Sequence, residues 1–152
     1  MTVKKLAGQS LLHLLHRASQ NAESVFEAEF KDIPLTPRQF AVLMAVAETE
    51  GLSQTDIVAF TGIDRATVSD VVRRLRKKGL LTRHRAKDGT RAYEVNLTDE
   101  GRRVLRIVQP LAERIDDRIL GVLSGGARKQ FIDCLRSLVG ALQGGARGAH
   151  AR

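Results

Sequence analysis

The chain has 152 residues, 43% hydrophobic and 28% charged, a balance that excludes a disordered polymer and fits one globular domain or two lobes sharing a core. Lys and Arg number 25 against 17 Asp and Glu, a net charge of +8, so polyanions head the list of partners, nucleic acid before an anionic membrane surface. No apolar run reaches the ~18 residues that a membrane span needs. The first fifteen residues are too polar for a signal-peptide core, and the single cysteine, Cys134, excludes an intrachain disulfide. These features predict a cytoplasmic protein without a membrane partner.

Residues 3–31 place Leu6, Leu11, Leu14, Leu15, Ala18, Ala22, Val25, Phe26 and Phe30 at helical spacing. Asp32-Ile33-Pro34 interrupts that pattern, because a residue before proline is pushed out of the helical region. Thr36-Pro37-Arg38-Gln39 then offers a capping hydroxyl, a proline at the first helical position and a glutamine placed to close a capping box. The helix it opens runs out at Glu50-Gly51. Ser53-Gln54-Thr55-Asp56 is a second capping box, and Gly62 suits a turn with positive φ. Asp64 or a near neighbour caps a third helix, predicted from Arg65 to Lys78 and ended by Gly79.

Beyond Gly79 the period changes to that of strands. Residues 80–85 and 91–96 read as two strands joined by a loop containing Asp88-Gly89, a strong hairpin signal. Thr98-Asp99-Glu100 opens a long helix in which Pro110 is expected to bend or divide the rod. Ser124-Gly125-Gly126 resets the chain before a last helix with Phe131, Ile132, Leu135, Leu138, Val139 and Leu142. The segment 144–152, rich in Gly and Ala, is expected to be a flexible basic tail.

Three short helices followed by a hairpin make a winged helix-turn-helix, in which one helix enters the major groove of DNA and a supporting helix crosses the backbone. Ile57, Ile63, Val68, Val71, Val72 and Leu75 are the predicted buried face of the helix pair. Arg65, Ala66, Thr67, Ser69, Asp70 and Arg73 are left to face outward, a mix able to read base edges. The supporting helix opens on Ser53, Gln54 and Thr55. Arg74, Lys77, Arg83 and Arg85 are placed for phosphate contact, and Lys87, Asp88 and Arg91 form the hairpin tip, suited to the minor groove. A solvated polar face is the bland alternative. The charge argues against it: from Arg65 to Arg91, ten basic residues stand against Asp70 and Asp88, an excess equal to that of the whole chain.

The run Leu52-Ser53-Gln54-Thr55-Asp56-Ile57, then Arg65 to Leu75, Gly79-Leu80-Leu81, Asp88 to Arg91, Leu97-Thr98 and Gly101, resembles the multiple-antibiotic-resistance regulator (MarR) family. The likeness extends over about residues 6–142. Two departures stand out: Gly89 and Thr90 separate Asp88 from Arg91 where the family often has one residue, and Asp70 sits where a basic or polar residue is common. The resemblance implies a mainly α fold with a small β-hairpin wing. Residues 35–103 would form the DNA-binding domain, and residues 3–31 and 104–143 the dimerisation helices. The apolar excess of the terminal helices independently points to a homodimer, which would read a pseudo-palindromic operator in double-stranded DNA.

The resemblance further implies a repressor released by a small effector. His13 and His16 on the first helix are candidate contacts for an aromatic or anionic one, with solvated or interhelical histidines as the competing reading. Cys134 is expected to be a small buried hydrophobe rather than a redox sensor. No zinc spacing, phosphate-cradling loop or catalytic triad stands out, so neither a cofactor, a metal nor an enzyme is predicted. The rival function is a winged-helix module for RNA or protein interaction without ligand response.

Overall fold

The computed structural model describes residues 10–86 and 93–148. Along them run α1 (Leu11–Glu29), α2 (Pro37–Glu48), α3 (Gln54–Thr61), α4 (Arg65–Lys77), β1 (Leu81–Arg85), β2 (Tyr93–Leu97), α5 (Asp99–Leu120) and α6 (Gly125–Gly148). The protein is mainly α with one antiparallel hairpin, as expected. The chain divides into two units, Met1–Ile115 and Asp116–Arg152.

The local signals act where they occur in the sequence. Thr36 Oγ1 accepts from the Gln39 amide and Gln39 Oε1 accepts from the Thr36 amide, both at 3.2 Å, with Pro37 at the first helical position. These bonds satisfy amides that the start of a helix otherwise leaves without partners. Ser53 and Asp56 form the same reciprocal pair for α3. Gly62 closes α3 at φ 69°, in the left-handed region, and turns the chain directly into α4.

In the first unit the core gathers Val42, Leu43 and Val46 of α2 with Ile57 of α3 and the inner face of α4. Leu81, Val95 and Leu97 of the hairpin and Val108 and Ile115 of α5 complete it. The C-terminal half of α1 joins through Phe26 and Phe30, stacked at 4.0 Å between centroids, with Phe40 set edge-on to Phe30 at 5.3 Å. The N-terminal half of α1 buries nothing: Leu11, Leu12, Leu14 and Leu15 are all exposed.

The hairpin pairs Leu81 with Leu97 and Arg85 with Tyr93. Leu52, in the connection between α2 and α3, adds a bridge to Val95, whose amide donates to the Leu52 carbonyl at 2.8 Å. The wing is thereby anchored on the helical core. Gly101, in the first turn of α5, lies so close to the chain before β1 that a Cβ there would stand 2.2 Å from the Leu80 carbonyl oxygen. Thr98 locks the same junction, accepting from the Gly101 amide at 2.9 Å and donating to the Gly79 carbonyl at 2.6 Å.

Three sequence expectations need amendment. Pro110 does not divide α5, which is helical throughout Asp99–Leu120; Arg106 and Pro110 are both exposed, so water can donate to the Arg106 carbonyl in place of the N–H that proline lacks. The last helix continues to Gly148, past the expected boundary at 144. Cys134 is exposed, not buried. The physical reason lies in α6 itself: Phe131, Leu135, Leu138, Val139 and Leu142 are exposed within the chain, so a neighbouring residue has no interior to enter.

Candidate nucleic-acid interface

Helix α4 separates its two faces by the 3.6-residue period. Val68, Val71, Val72 and Leu75 are buried, together with Ile57 of α3, whereas Ile63 is half-buried. On the other side Arg65, Ala66, Ser69, Arg73, Arg74 and Lys77 are exposed, and Thr67 and Asp70 are half-buried. The predicted outward residues therefore share one solvent-facing surface on a 13-residue helix. Its start is capped by the Asp64 carboxylate, which accepts from the Thr67 amide at 2.9 Å and the Thr67 hydroxyl at 2.6 Å. Those bonds, the hydroxyl first, hold the Asp64 carboxyl below its ordinary pKa.

The supporting helix meets α4 at its own N-terminus. Thr55 is exposed, Ser53 and Gln54 are half-buried, and Arg65 donates to Thr55 Oγ1 at 3.4 Å. Ser53 is occupied by its reciprocal bonds with Asp56, and its hydroxyl is the first cause of the lowered Asp56 pKa. Asp70, the single acid within α4, accepts from Arg73 and from Arg74 Nε. Arg73 first and Arg74 second hold its carboxyl below the usual range. The acid thus offsets part of the positive charge in the middle of this face.

On the wing, Arg83 and Arg85 are exposed as expected. One feature escaped the sequence reading. The Arg83 guanidinium lies 4.0 Å from the centre of the Tyr93 ring and that of Arg85 lies 6.0 Å from it, within reach of cation–π attraction. A hydrogen bond from Arg85, and then its charge, lower the phenol pKa. Strand alternation carried the signal, since Arg83 and Arg85 share one face and Tyr93 pairs with Arg85. Lys87, Asp88 and Arg91 lie outside the described residues.

His13 and His16 stand exposed on the free half of α1. Among the described residues no group of three or more His, Cys, Asp or Glu is placed to hold a metal ion. No helix among them is long and apolar enough to cross a membrane.

Residues 33–92, which contain all of this surface except Tyr93, match the profile of the MarR family. NicR of Pseudomonas putida, a helix-turn-helix-type transcriptional repressor, is 30% identical over 127 residues, covering 84% of this chain and 80% of that protein. The chain belongs to the MarR family of transcriptional regulators. Among solved MarR-like structures, BpsR of Bordetella bronchiseptica, whose DNA binding is regulated by 6-hydroxynicotinic acid, matches with a TM-score of 0.78 and 34% identity. That match covers 86% of this chain and 95% of BpsR. The repressor CouR, bound to a 23-mer DNA duplex, matches with a TM-score of 0.81 and 28% identity over 91% of this chain and 98% of CouR. A MarR-family chain is a transcriptional regulator, a role without catalytic chemistry, and the exposed face of α4 lies within the matched segment.

Proposed function

We propose that this MarR-family protein is a homodimeric, sequence-reading repressor that acts in the cytoplasm, binds double-stranded DNA and releases it on meeting a small effector. The observation that carries the reading is α4: a helix apolar on its inner face and basic on its outer face, followed by a hairpin with Arg83 and Arg85 exposed. Residues 35–103 are the DNA-binding domain in this proposal, and residues 3–31 and 104–143 the dimerisation helices. Arg65, Ala66, Thr67, Ser69, Asp70 and Arg73 face the major groove. Ser53, Gln54, Thr55, Arg74, Lys77, Arg83 and Arg85 meet the backbone, and Lys87, Asp88 and Arg91 enter the minor groove.

The dimer is supported by what each unit leaves uncovered. Leu12 is 77% exposed on α1 and Leu142 66% exposed on α6, within rows of further exposed leucines that a second copy would cover. Two copies of α4 would then read half-sites about one helical turn, ~34 Å, apart. Repression is supported by the likeness to NicR, and an effector by the likeness to BpsR. A small aromatic or anionic molecule near His13 and His16 would release DNA by favouring a conformation that holds it less well.

The test is selection of an operator from random duplexes, followed by titration of that operator at several salt concentrations. A palindromic consensus and affinity falling steeply with salt are expected, with Arg65→Ala relaxing selectivity at one position of each half-site. Equal affinity for structured RNA, or binding flat between low and moderate salt, refutes the reading.

A further inference from the structure

One face of the hairpin changes character along its length. Cross-strand partners and residues two apart share a face. At its base that face carries Leu81 and Leu97, with Val95 beside them, all buried. Toward the tip it carries Arg83, Arg85 and Tyr93, all exposed. Tyr93 stands directly across from Arg85 and diagonally from Arg83, separations that a ring and a long side chain can bridge. The Arg83 guanidinium covers the ring at 4.0 Å from its centre, and Arg85 donates a hydrogen bond to the phenol oxygen. A single tyrosine thus holds one arginine by its face and another by its oxygen.

The manner of holding decides what each arginine can still do. All the donors of a guanidinium lie in its plane, whereas a stack on an aromatic ring engages its face and leaves the edge open. On α4, Arg73 and Arg74 turn donors toward Asp70, and Arg65 gives one to Thr55. Among the described residues no oxygen accepts from Arg83, although its guanidinium is held against the ring. A loose arginine surrenders rotamer freedom when it grips an anion, and one already set in place surrenders less.

We infer that Tyr93 is a positioning residue for DNA binding: its ring presets Arg83 and its hydroxyl presets Arg85, so that their guanidinium edges meet backbone phosphates already aimed. The inference rests on the reading of the wing as part of the DNA-binding surface. Tyr93 acts here through the arginines and not by touching DNA. Its effect falls on affinity and not on the choice of sequence, because phosphates carry no sequence information.

The test titrates the full chain against the selected operator and an unrelated duplex, read by fluorescence anisotropy at several salt concentrations. Tyr93→Leu should weaken both duplexes alike, by about fivefold, and leave the salt slope unchanged because no charge is removed. Tyr93→Trp, which keeps a ring beneath Arg83, should recover most of the loss, and Tyr93→Phe the share owed to Arg83 alone. With Arg83→Ala and Arg85→Ala already in place, Tyr93→Leu should weaken binding no further. Tyr93 is 39% exposed, so Tm should hardly move. An equal loss in both backgrounds means that the ring only braces the wing or touches DNA itself, and overturns the inference. So does parent-like binding by Tyr93→Leu when the double arginine variant binds weakly, an outcome that leaves the regulator reading intact. If the double arginine variant itself binds like the parent with the same salt slope, the wing lies away from DNA, and that reading of the wing fails together with this inference.

Discussion

Asp70 is the acid within α4, and its carboxylate is shared between Arg73 and Arg74. All three side chains are well exposed, so these bridges add little stability; their effect is to lower the positive potential that a phosphate backbone would meet. Asp70→Ala should therefore raise affinity for a non-operator duplex and steepen the salt dependence by about one to two counter-ions. Anisotropy titrations across salt check it, and an unchanged slope would place this face away from DNA. Asp64 yields a pH prediction. Its folded pKa is depressed, so the stability it contributes is present above the unfolded value of about 3.9 and is lost as pH falls through the folded value. Asn caps helices about as well as Asp. Asp64→Asn should keep the cap and flatten part of the stability loss below about pH 4, measured by denaturant melts at successive pH values.

At the scale of elements, the junction of β1 with α5 is the least forgiving contact. Gly101 allows the first turn of α5 to approach the Leu80 carbonyl, and Thr98 both caps that helix and bonds back to Gly79. Gly101→Ala must push the helix from the strand and should destabilise the fold by about 1–3 kcal/mol, which lowers Tm by several degrees in a chain of this length. Calorimetry decides the matter, and a variant as stable as the parent would mean that the approach is looser than 2.2 Å implies. The wing depends on this junction for its position. Its second anchor, the bridge of Leu52 to Val95, comes from the connection between α2 and α3, so the hairpin is held by two separate parts of the chain.

For the whole molecule, the question is what covers the terminal helices. None of the exposed leucines on α1 or the apolar residues of the stripe on α6 joins the buried core of one chain, yet apolar surface of this extent drives association in water. Leu12→Glu combined with Leu142→Glu should convert a dimer to a monomer by light scattering while preserving helical content. It should also weaken operator binding far more than either single half-site contact would, because two linked half-sites reinforce each other. A parent chain that is monomeric at micromolar concentration would defeat the prediction.

The elements were legible because their determinants are local. The capping pairs Thr36–Gln39 and Ser53–Asp56 lie three residues apart, Gly62 acts on its own φ, and the apolar period of α4 repeats within a single turn. Net charge, concentrated between Arg65 and Arg91, is likewise a property of composition and needs no fold to be counted. What the tertiary structure alone decided are contacts between distant residues: Leu52 with Val95, Lys78 with Pro34 and Gln39, and the stack of Arg83 on Tyr93. The exposure of Cys134 and the unbroken run of α5 through Pro110 belong with them. Burial and solvent access depend on which surfaces meet, and a sequence period marks a face as apolar without saying what, within the chain, lies against it.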